Sequence, residues 1–313
     1  MSDKTSNGIT MQKFKYLFFI LPVVASVLSI IAIVVWGLRP GIDLRGGSLL
    51  EVSFPGGRPD VSLVQEKLTP LELGEVRIQP AGEGEYMLRQ RALSQVEKER
   101  VDAALASFGE VTQVQYTSVG PSIGAELVRK AWWAIGLVSL CTVLFIAFAF
   151  RHVSKPVSSW KYGLVAIVTL LHDILIPTGY FAYLGETRGA EVGVLFIVAL
   201  LTILGISIND TIVVFDRIRE NLRLNEEKKQ HQDFEFVVWK SIKQTMTRSI
   251  NTSVTVIIML VALFILGPES TKDFALVLTI GMIAGTYSSI FLASPMLVLI
   301  SENWKTPVEV KKK

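Results

Sequence analysis

Six long apolar runs constrain the fold of this 313-residue chain more than any other feature. The hydrocarbon core of a bilayer is about 30 Å thick, and a helix needs roughly 20 apolar residues to cross it. Runs of this length occupy residues 16–36, 131–150, 162–184, 192–215, 250–267 and 274–300. They predict a polytopic α-helical membrane protein with six transmembrane helices. The first run is longer than the apolar part of a signal peptide and has no small-residue cleavage site after it, so we expect it to remain as an anchor.

Basic residues predict the orientation of the helices, because Lys and Arg concentrate on the cytoplasmic side of a membrane. They lie at both ends of the chain and in alternate loops: Lys4, Lys13, Lys15, Arg151, Lys155, Lys161, Arg217, Arg219, Arg223, Lys228, Lys229, Lys240, Lys243, Arg248, Lys311, Lys312 and Lys313. The short loops GETRGAE and GPESTKD are poor in basic residues. We therefore expect a cytoplasmic N-terminus (1–15), a cytoplasmic basic tail (301–313) and an extracytoplasmic segment at 37–130.

The extracytoplasmic segment has the length of a small domain. Alternating apolar residues and turn signals predict strands at 48–55, 74–80, 85–92 and 111–119, and helices at 61–71 and 94–108. Ser94 and Glu97 have the spacing of a capping box. The order β-α-β-β-α-β predicts a small α+β ferredoxin-like domain. No pair of carboxylates and no nucleophile with a base stands out in it, which favours a binding or mechanical domain over an enzyme.

Composition argues against several classes of function. The net charge of +3 is too small to indicate a nucleic-acid partner. The chain has no G-x-x-x-x-G-K-[ST] motif, which argues against nucleotide-driven work. Its three histidines are scattered, and its single cysteine lies inside an apolar run. We expect no metal, no cofactor and no enzymatic activity.

Asp210 stands out in the fourth run, within GISINDTIVVFDRIREN. An Asp near the middle of a membrane helix costs roughly 2.5–3.5 kcal/mol. Asp216 follows only about 9 Å further along the helix, so one interpretation places Asp210 at the membrane interface. However, a short carboxylate reaches water poorly. The polar neighbours of Asp210 on this helix include Ser207, Asn209 and Thr211. We favour a role for Asp210 in ion coupling.

Arg248 is a candidate partner for Asp210. Together with Asn251 and Thr252 it occupies positions i, i+3 and i+4, which form one face of the fifth helix. Arg248 lies at the cytoplasmic end of that helix, and Asp210 lies near the cytoplasmic end of the fourth. An Asp210–Arg248 pair and a simple basic flank are both consistent with this spacing.

His172 and Asp173 form a second pair of ionisable residues, near the middle of the third run. Adjacent residues point about 100° apart on a helix, so the two side chains can serve different partners. One interpretation is a hydrogen-bonded pair inside a helix interface. The other is a proton path, because intramembrane ionisable groups cluster on ion pathways.

Two further segments carry helix-packing signals. Residues 232–246 are amphipathic and basic, which predicts a helix lying along the cytoplasmic interface or docking a partner. In the sixth run, small residues recur on one face and predict close helix packing. These residues are Gly281, Ala284, Gly285 and Ser288.

Five motifs together resemble the SecF half of the SecDF protein-export family, which belongs to the RND superfamily. They occur in the family order over nearly the whole chain: GIDLRGG at 41–47, SVGPSIGAELVRKAWWAI at 118–135, LHDILIPTGYFA at 171–182, GISINDTIVVFDRIREN at 205–221 and RSINTSVTV at 248–256. The resemblance implies an RND-type half with six transmembrane helices (16–36 and within 131–300). Asp210 falls on the family's essential membrane Asp, Arg248 on its membrane-adjacent Arg and Asp173 on another characteristic acidic position.

The resemblance also implies a function and partners. Members of the family pair with SecD and work beside the SecYEG translocon, with YajC and YidC as possible further partners. They use the proton motive force, or sodium in some bacteria, to promote late steps of preprotein translocation after SecA has acted. The implied location is the bacterial inner membrane, in contact with lipid. The alternative is an RND-type exporter subunit for a lipid or small molecule.

The GIDLRGG motif has a separate interpretation. Gly41, Gly46 and Gly47 allow tight turning where the chain leaves the membrane, and Asp43 is placed to brace the domain against the helices. The family resemblance favours a hinge for a moving domain. A plain linker turn is the alternative.

Overall fold

The computed structural model describes residues 6–149, 157–229 and 232–302. Several residues that predicted the orientation lie outside these ranges: Lys4, Arg151, Lys155, Lys311, Lys312 and Lys313. The helices are α1 (Ser6–Trp36), α2 (Ile42–Arg45), α3 (Val61–Leu68), α4 (Gln95–Ala106), α5 (Pro121–Ala149), α6 (Ser159–Arg188), α7 (Val194–Glu227), α8 (Phe234–Leu266), α9 (Glu269–Ser288) and α10 (Ser294–Glu302). The strands are β1 (Gly47–Ser53), β2 (Arg77–Ala81), β3 (Glu85–Gln90) and β4 (Thr112–Val119).

Six helical segments of the described chain are long and apolar enough to cross a membrane, which confirms the six predicted spans. They are α1, α5, α6, α7, α8 and the unit made of α9, a π-helical turn at Ser289–Ala293, and α10. Several exceed their apolar runs because the helix continues into polar sequence. With 34 residues, α7 is about 51 Å long, well beyond the thickness of a bilayer core.

The beginning of α8 corrects the prediction for residues 232–246. This segment is not a separate interfacial helix but the first part of α8, and it packs against the end of α7. Asn221 donates to the Ser241 hydroxyl at 2.8 Å, and Arg217 donates to Gln244 at 2.7 Å. The amphipathic pattern therefore serves a helix–helix contact, in which Val238 and Ser241 are fully buried.

Residues 47–119 form one four-stranded antiparallel sheet with α3 and α4 in the two crossovers, in the predicted order β-α-β-β-α-β. The sheet order is β2-β3-β1-β4. Its apolar face packs against both helices around Leu50, Leu88, Val64 and Val101, all with no exposed surface. The sheet and its two helices are called the α+β domain below.

Glycines allow the membrane helices to approach closely. A Cβ atom at Gly179 of α6 would lie 2.4 Å from the Ser29 Cα of α1. A Cβ atom at Gly281 of α9 would lie 2.2 Å from the Ile203 side chain of α7. The predicted close packing around Gly281 is thus made within the chain itself.

Gly179→Ala is expected to destabilise the protein, because the added methyl group meets backbone atoms that cannot rotate away. Overpacking of this kind costs about 1–3 kcal/mol of unfolding free energy. Gly136→Ala is the matched control, since no atom lies within 4 Å of a Cβ built there and Ala favours a helix. Thermal unfolding of both variants in detergent is the measurement. Equal Tm values for the two variants would contradict the packing argument.

Glu97 gives the α+β domain an expected pH dependence. The Arg91 guanidinium, with the Ser94 amide and hydroxyl, lowers the pKa of Glu97 from 4.5 to about 2. Because the folded pKa is depressed, the stabilisation is complete above pH 4.5 and is lost as the pH falls through about 2. Amide exchange in α4 should therefore be faster in Glu97→Gln than in the wild type near neutral pH, and the difference should shrink below pH 4.5.

The control for this measurement is Glu99→Gln. Glu99 lies about half a helical turn from Glu97 in α4, and its carboxylate accepts a hydrogen bond from Gln95 at 3.2 Å within the helix. Mass spectrometry gives the amide exchange rate of each variant and of the wild type at each pH. The ratio of the variant rate to the wild-type rate removes the intrinsic effect of pH on exchange. A Glu97→Gln ratio that stays constant from neutral pH to acid would show that the capping contacts contribute no charge-dependent stability.

Candidate ion-coupling site

Asp173 is the centre of a hydrogen-bonded cluster that joins three membrane helices. It has no exposed surface and lies on α6. Its carboxylate accepts from Ser207 of α7, from Ser288 of α9 at 2.9 Å and from His172 Nδ1 at 2.9 Å. We call these four residues the Asp173 cluster. The structure thus brings His172 and Asp173 together as a directly bonded pair.

Local sequence explains how the three helices reach one carboxylate. Gly285 lies against α7, where a Cβ would stand 3.2 Å from the Ser207 Cβ and 3.8 Å from an Asp173 oxygen. The π-helical turn then starts at Ser289, whose hydroxyl lies 3.1 Å from that of Thr211. Such turns often mark functional positions inside membrane and soluble helices. Two consecutive residues, Ser288 at the end of α9 and Ser289 at the start of the π-helical turn, therefore form hydrogen bonds to α6 and α7 respectively.

Asp210 follows Ser207 by three residues on α7 but has a different environment. It is 6% exposed, and no described residue donates a hydrogen bond to its carboxylate. It borders a narrow gap between α7 and α9 that Gly285 and Thr286 also line. Asp173 is therefore fixed by three donors, whereas Asp210 has none among the described residues.

Arg248 does not pair directly with Asp210. Its side chain is exposed on α8 and is close enough for an electrostatic attraction to the Asp210 carboxylate. Among the ion pairs of the described residues, however, none joins these two side chains within 4.0 Å. The two side chains influence each other electrostatically without forming an ion pair.

A polar surface on α7 and α8 faces away from the rest of the chain. It consists of Gly205, Asn209, Arg248, Asn251 and Thr252, all exposed within helices long enough to span a membrane. No atom lies within 4 Å of a Cβ built at Gly205. We call this the outward polar surface. Asn209 thus points away from the Asp173 cluster, while its neighbour Thr211 points inward.

The GIDLRGG motif is a tightly packed junction in this structure. Residues 42–45 form α2, which the sequence did not predict. Gly46 and Gly47 have φ values of 84° and 154°, and a Cβ would lie 2.7 Å from Pro121 at the first and 2.7 Å from the Gln90 carbonyl at the second. Gly41 donates to the Val192 carbonyl at 2.9 Å, and Asp43 accepts from the Val194 amide at 3.0 Å.

Two side chains at the site were not anticipated in their roles. Ser288 was interpreted as a small packing residue, although its hydroxyl bonds Asp173. Thr286, beside the gap at Asp210, donates to Ser253 of α8 at 2.6 Å. The signal for both was present in the sequence, since Ser and Thr on an apolar helix face often bond a neighbouring helix.

Comparison with known proteins agrees with this architecture. A family model for the C-terminal part of the protein export membrane proteins SecD and SecF matches residues 100–303, and a model for the SecD/SecF GG motif matches residues 31–54. The protein translocase subunit SecF of Thermobaculum terrenum is 39% identical, over 93% of this chain and 93% of its own length. The SecF of Anaerolinea thermophila is 35% identical over 91% and 92% of the two chains.

Two solved structures share the fold. The crystal structure of SecDF, a translocon-associated membrane protein from Thermus thermophilus, matches with a TM-score of 0.80 and 30% identity over 94% of this chain. SecDF in a super-membrane-facing form matches with a TM-score of 0.63, again at 30% identity, over 93% of this chain. This chain spans 38% of the length of each SecDF chain.

Six helices long and apolar enough to cross a membrane, with a buried polar cluster between them, define a polytopic helical membrane protein. The chain belongs to the SecD/SecF family of protein export membrane proteins, on its SecF side. It is a protein translocase subunit, a multi-pass component of a bacterial inner membrane rather than a classical enzyme.

Ser288→Ala is expected to lower the thermal stability of the chain, because the buried Asp173 carboxylate loses one of its three donors. Removing one partner of a buried hydrogen bond costs about 1–3 kcal/mol. Ser139→Ala is the matched control, since that hydroxyl bonds the Ile135 carbonyl of its own helix. Thermal unfolding in detergent compares the two, and a Ser288→Ala Tm equal to that of the control would contradict the role of the Asp173 cluster.

Proposed function

We propose that this chain uses an ion gradient, of protons or sodium, to promote late steps of preprotein translocation through the Sec channel. The observation that carries the proposal is the environment of Asp210, a carboxylate buried in a membrane helix without a hydrogen-bond donor among the described residues. Buried charges in proteins normally have partners. A proton or a small cation would complete this site, and its arrival would change the charge at one defined point of α7.

The Asp173 cluster holds α7 in place next to the site of that change. It holds α7 at Ser207, one turn before Asp210, and the contact between Thr211 and Ser289 holds it immediately after. Binding at Asp210 removes its attraction to Arg248 on α8. One elementary charge that crosses the membrane potential carries about 2.3 kcal/mol per 100 mV. This is enough to bias two arrangements of α7 and α8 that differ by a few kcal/mol.

The outward polar surface supports a partner with transmembrane helices. Asn209 and Asn251 would face hydrocarbon in an isolated chain, which is unfavourable. The solved SecDF chains are longer than this one, which covers 38% of them. We therefore propose that a SecD-like half covers this surface, and that the pair acts beside the SecYEG translocon on a translocating preprotein. YajC and YidC are further candidates for the assembly.

The proposed orientation follows from the basic residues of the sequence. Both termini and the polar ends of α7 and α8 lie in the cytoplasm, and the α+β domain, ferredoxin-like in strand order, lies outside. The domain is then on the side where the preprotein emerges. The relatives are named protein translocase subunits, which favours a polypeptide over a lipid or small molecule as the transported substrate.

Asp210→Asn is expected to abolish the gradient-dependent part of preprotein translocation and to leave the SecA-driven part intact. The amide keeps the size of the side chain but cannot take up a proton or a charge-compensating cation. The measurement is translocation into inverted vesicles that contain SecD and this chain, with and without an ion gradient.

Asp216→Asn is the matched control, because Asp216 lies on the same helix but is exposed and pairs with Arg219 at 2.7 Å. It should keep the gradient-dependent part. Full gradient dependence in Asp210→Asn would place the coupling ion elsewhere. Wild-type vesicles that show no response to the gradient would contradict the proposed function itself.

A further inference from the structure

We infer that Asp43 is a positioning residue that links the α+β domain to α7, the helix that carries Asp210. Asp43 transfers movement between the ion site and the α+β domain, and this role rests on the proposed function. Asp43 itself lies far from the ion site and belongs to the GIDLRGG motif.

The contact that carries the inference is an N-terminal cap made by a residue distant in sequence. The first amides of a helix have no partner within it, and a carboxylate is favourable there. Asp43 Oδ2 accepts from the Val194 amide at 3.0 Å, across 151 residues of sequence. Gly193 makes room for it, because a Cβ there would lie 2.6 Å from the same oxygen.

Backbone bonds surround this cap on the segment that leads into α7. Gly41 donates to the Val192 carbonyl at 2.9 Å, and Val192 donates to the Arg39 carbonyl at 2.7 Å. The neighbouring Glu191 lies 3.6 Å from Arg77 and 3.5 Å from Arg89, which belong to strands β2 and β3. The beginning of α7 is therefore held between the GIDLRGG motif and the sheet.

Both routes away from Asp43 are stiff. Towards the membrane, α7 runs without interruption from Val194 to Asp210, a rise of about 24 Å. Towards the domain, α2 is followed by Gly46 and Gly47, which are enclosed by Pro121 and Gln90, and then by the central strand β1. A shift of α7 at Asp210 thus appears at Val194 and is passed to the sheet through Asp43.

The test compares Asp43→Ala with Asp60→Ala in the complete chain, assembled with SecD in vesicles. Asp60 is a matched control because it also caps a helix of the α+β domain, where its Oδ1 accepts from the Ser62 amide at 2.8 Å at the start of α3. Asp43→Asn is the conservative variant, since an Asn oxygen can also cap a helix. Translocation is measured with and without the gradient.

A second readout separates positioning from a change in the ion site. A hydrophobic carbodiimide modifies protonated carboxyl groups within membranes, and peptide mass spectrometry reports its reaction with Asp210 against pH, with Asp210→Asn as the blank. In Asp43→Ala the gradient-dependent translocation should fall at least twofold, because α7 loses this contact with the α+β domain. Its carbodiimide profile should match the wild type, and Asp43→Asn should recover most of the gradient dependence.

Three results would overturn the inference. They are wild-type gradient dependence in Asp43→Ala, an equal loss in Asp60→Ala, and a shifted carbodiimide profile in Asp43→Ala, which would show that the ion site itself has changed. A wild type without any gradient response is distinguishable from all three. It would contradict the proposed function and, with it, the inference that rests on it.

Discussion

The hydrogen bonds to the buried Asp173 carboxylate hold α6, α7 and α9 together at one depth of the membrane domain. Gly285 leaves room beside these side chains, since a Cβ there would lie 3.2 Å from the Ser207 Cβ. The same contacts fix how α7 is rotated about its axis. Ser207 and Thr211 face inward, and Asn209 faces outward, so Asp210 is directed into the gap beside α9.

Two aspartates in adjacent membrane helices therefore have opposite environments. Asp173 accepts hydrogen bonds from His172, Ser207 and Ser288. Asp210 has no donor among the described residues, although it lies one helical turn from a member of the same cluster. Asp173 holds the helices in one arrangement, and Asp210 is the group at which we propose that a change in charge acts.

The sequence predicted the positions of helices and strands well, because contact with lipid or water determines their apolar patterns. It predicted less well the contacts that depend on how each helix is rotated about its axis and on close packing. Run length located all six membrane helices because a bilayer has a fixed thickness, and alternation located the four strands. Matching depth suggested an Asp210–Arg248 pair, but depth does not determine where a residue faces around its helix. Asp43 was expected to brace the domain against the helices, but its partner at the start of α7 could not be predicted, since the contact joins residues 151 positions apart. The prediction of an interfacial helix at 232–246 was wrong because an amphipathic pattern suits a helix–helix contact as well as a lipid surface.

The outward polar surface affects how stable an unassembled copy of the protein is in the membrane. If a SecD-like half covers this surface, as proposed above, a newly made copy without that half carries Asn209 and Asn251 on faces that border lipid. Such a copy is less stable in the membrane than an assembled one and tends to tilt or thin the bilayer around it. Assembled and orphan copies thus differ physically before any transport takes place. The abundance of this subunit can then follow the supply of its partner, without a separate regulator.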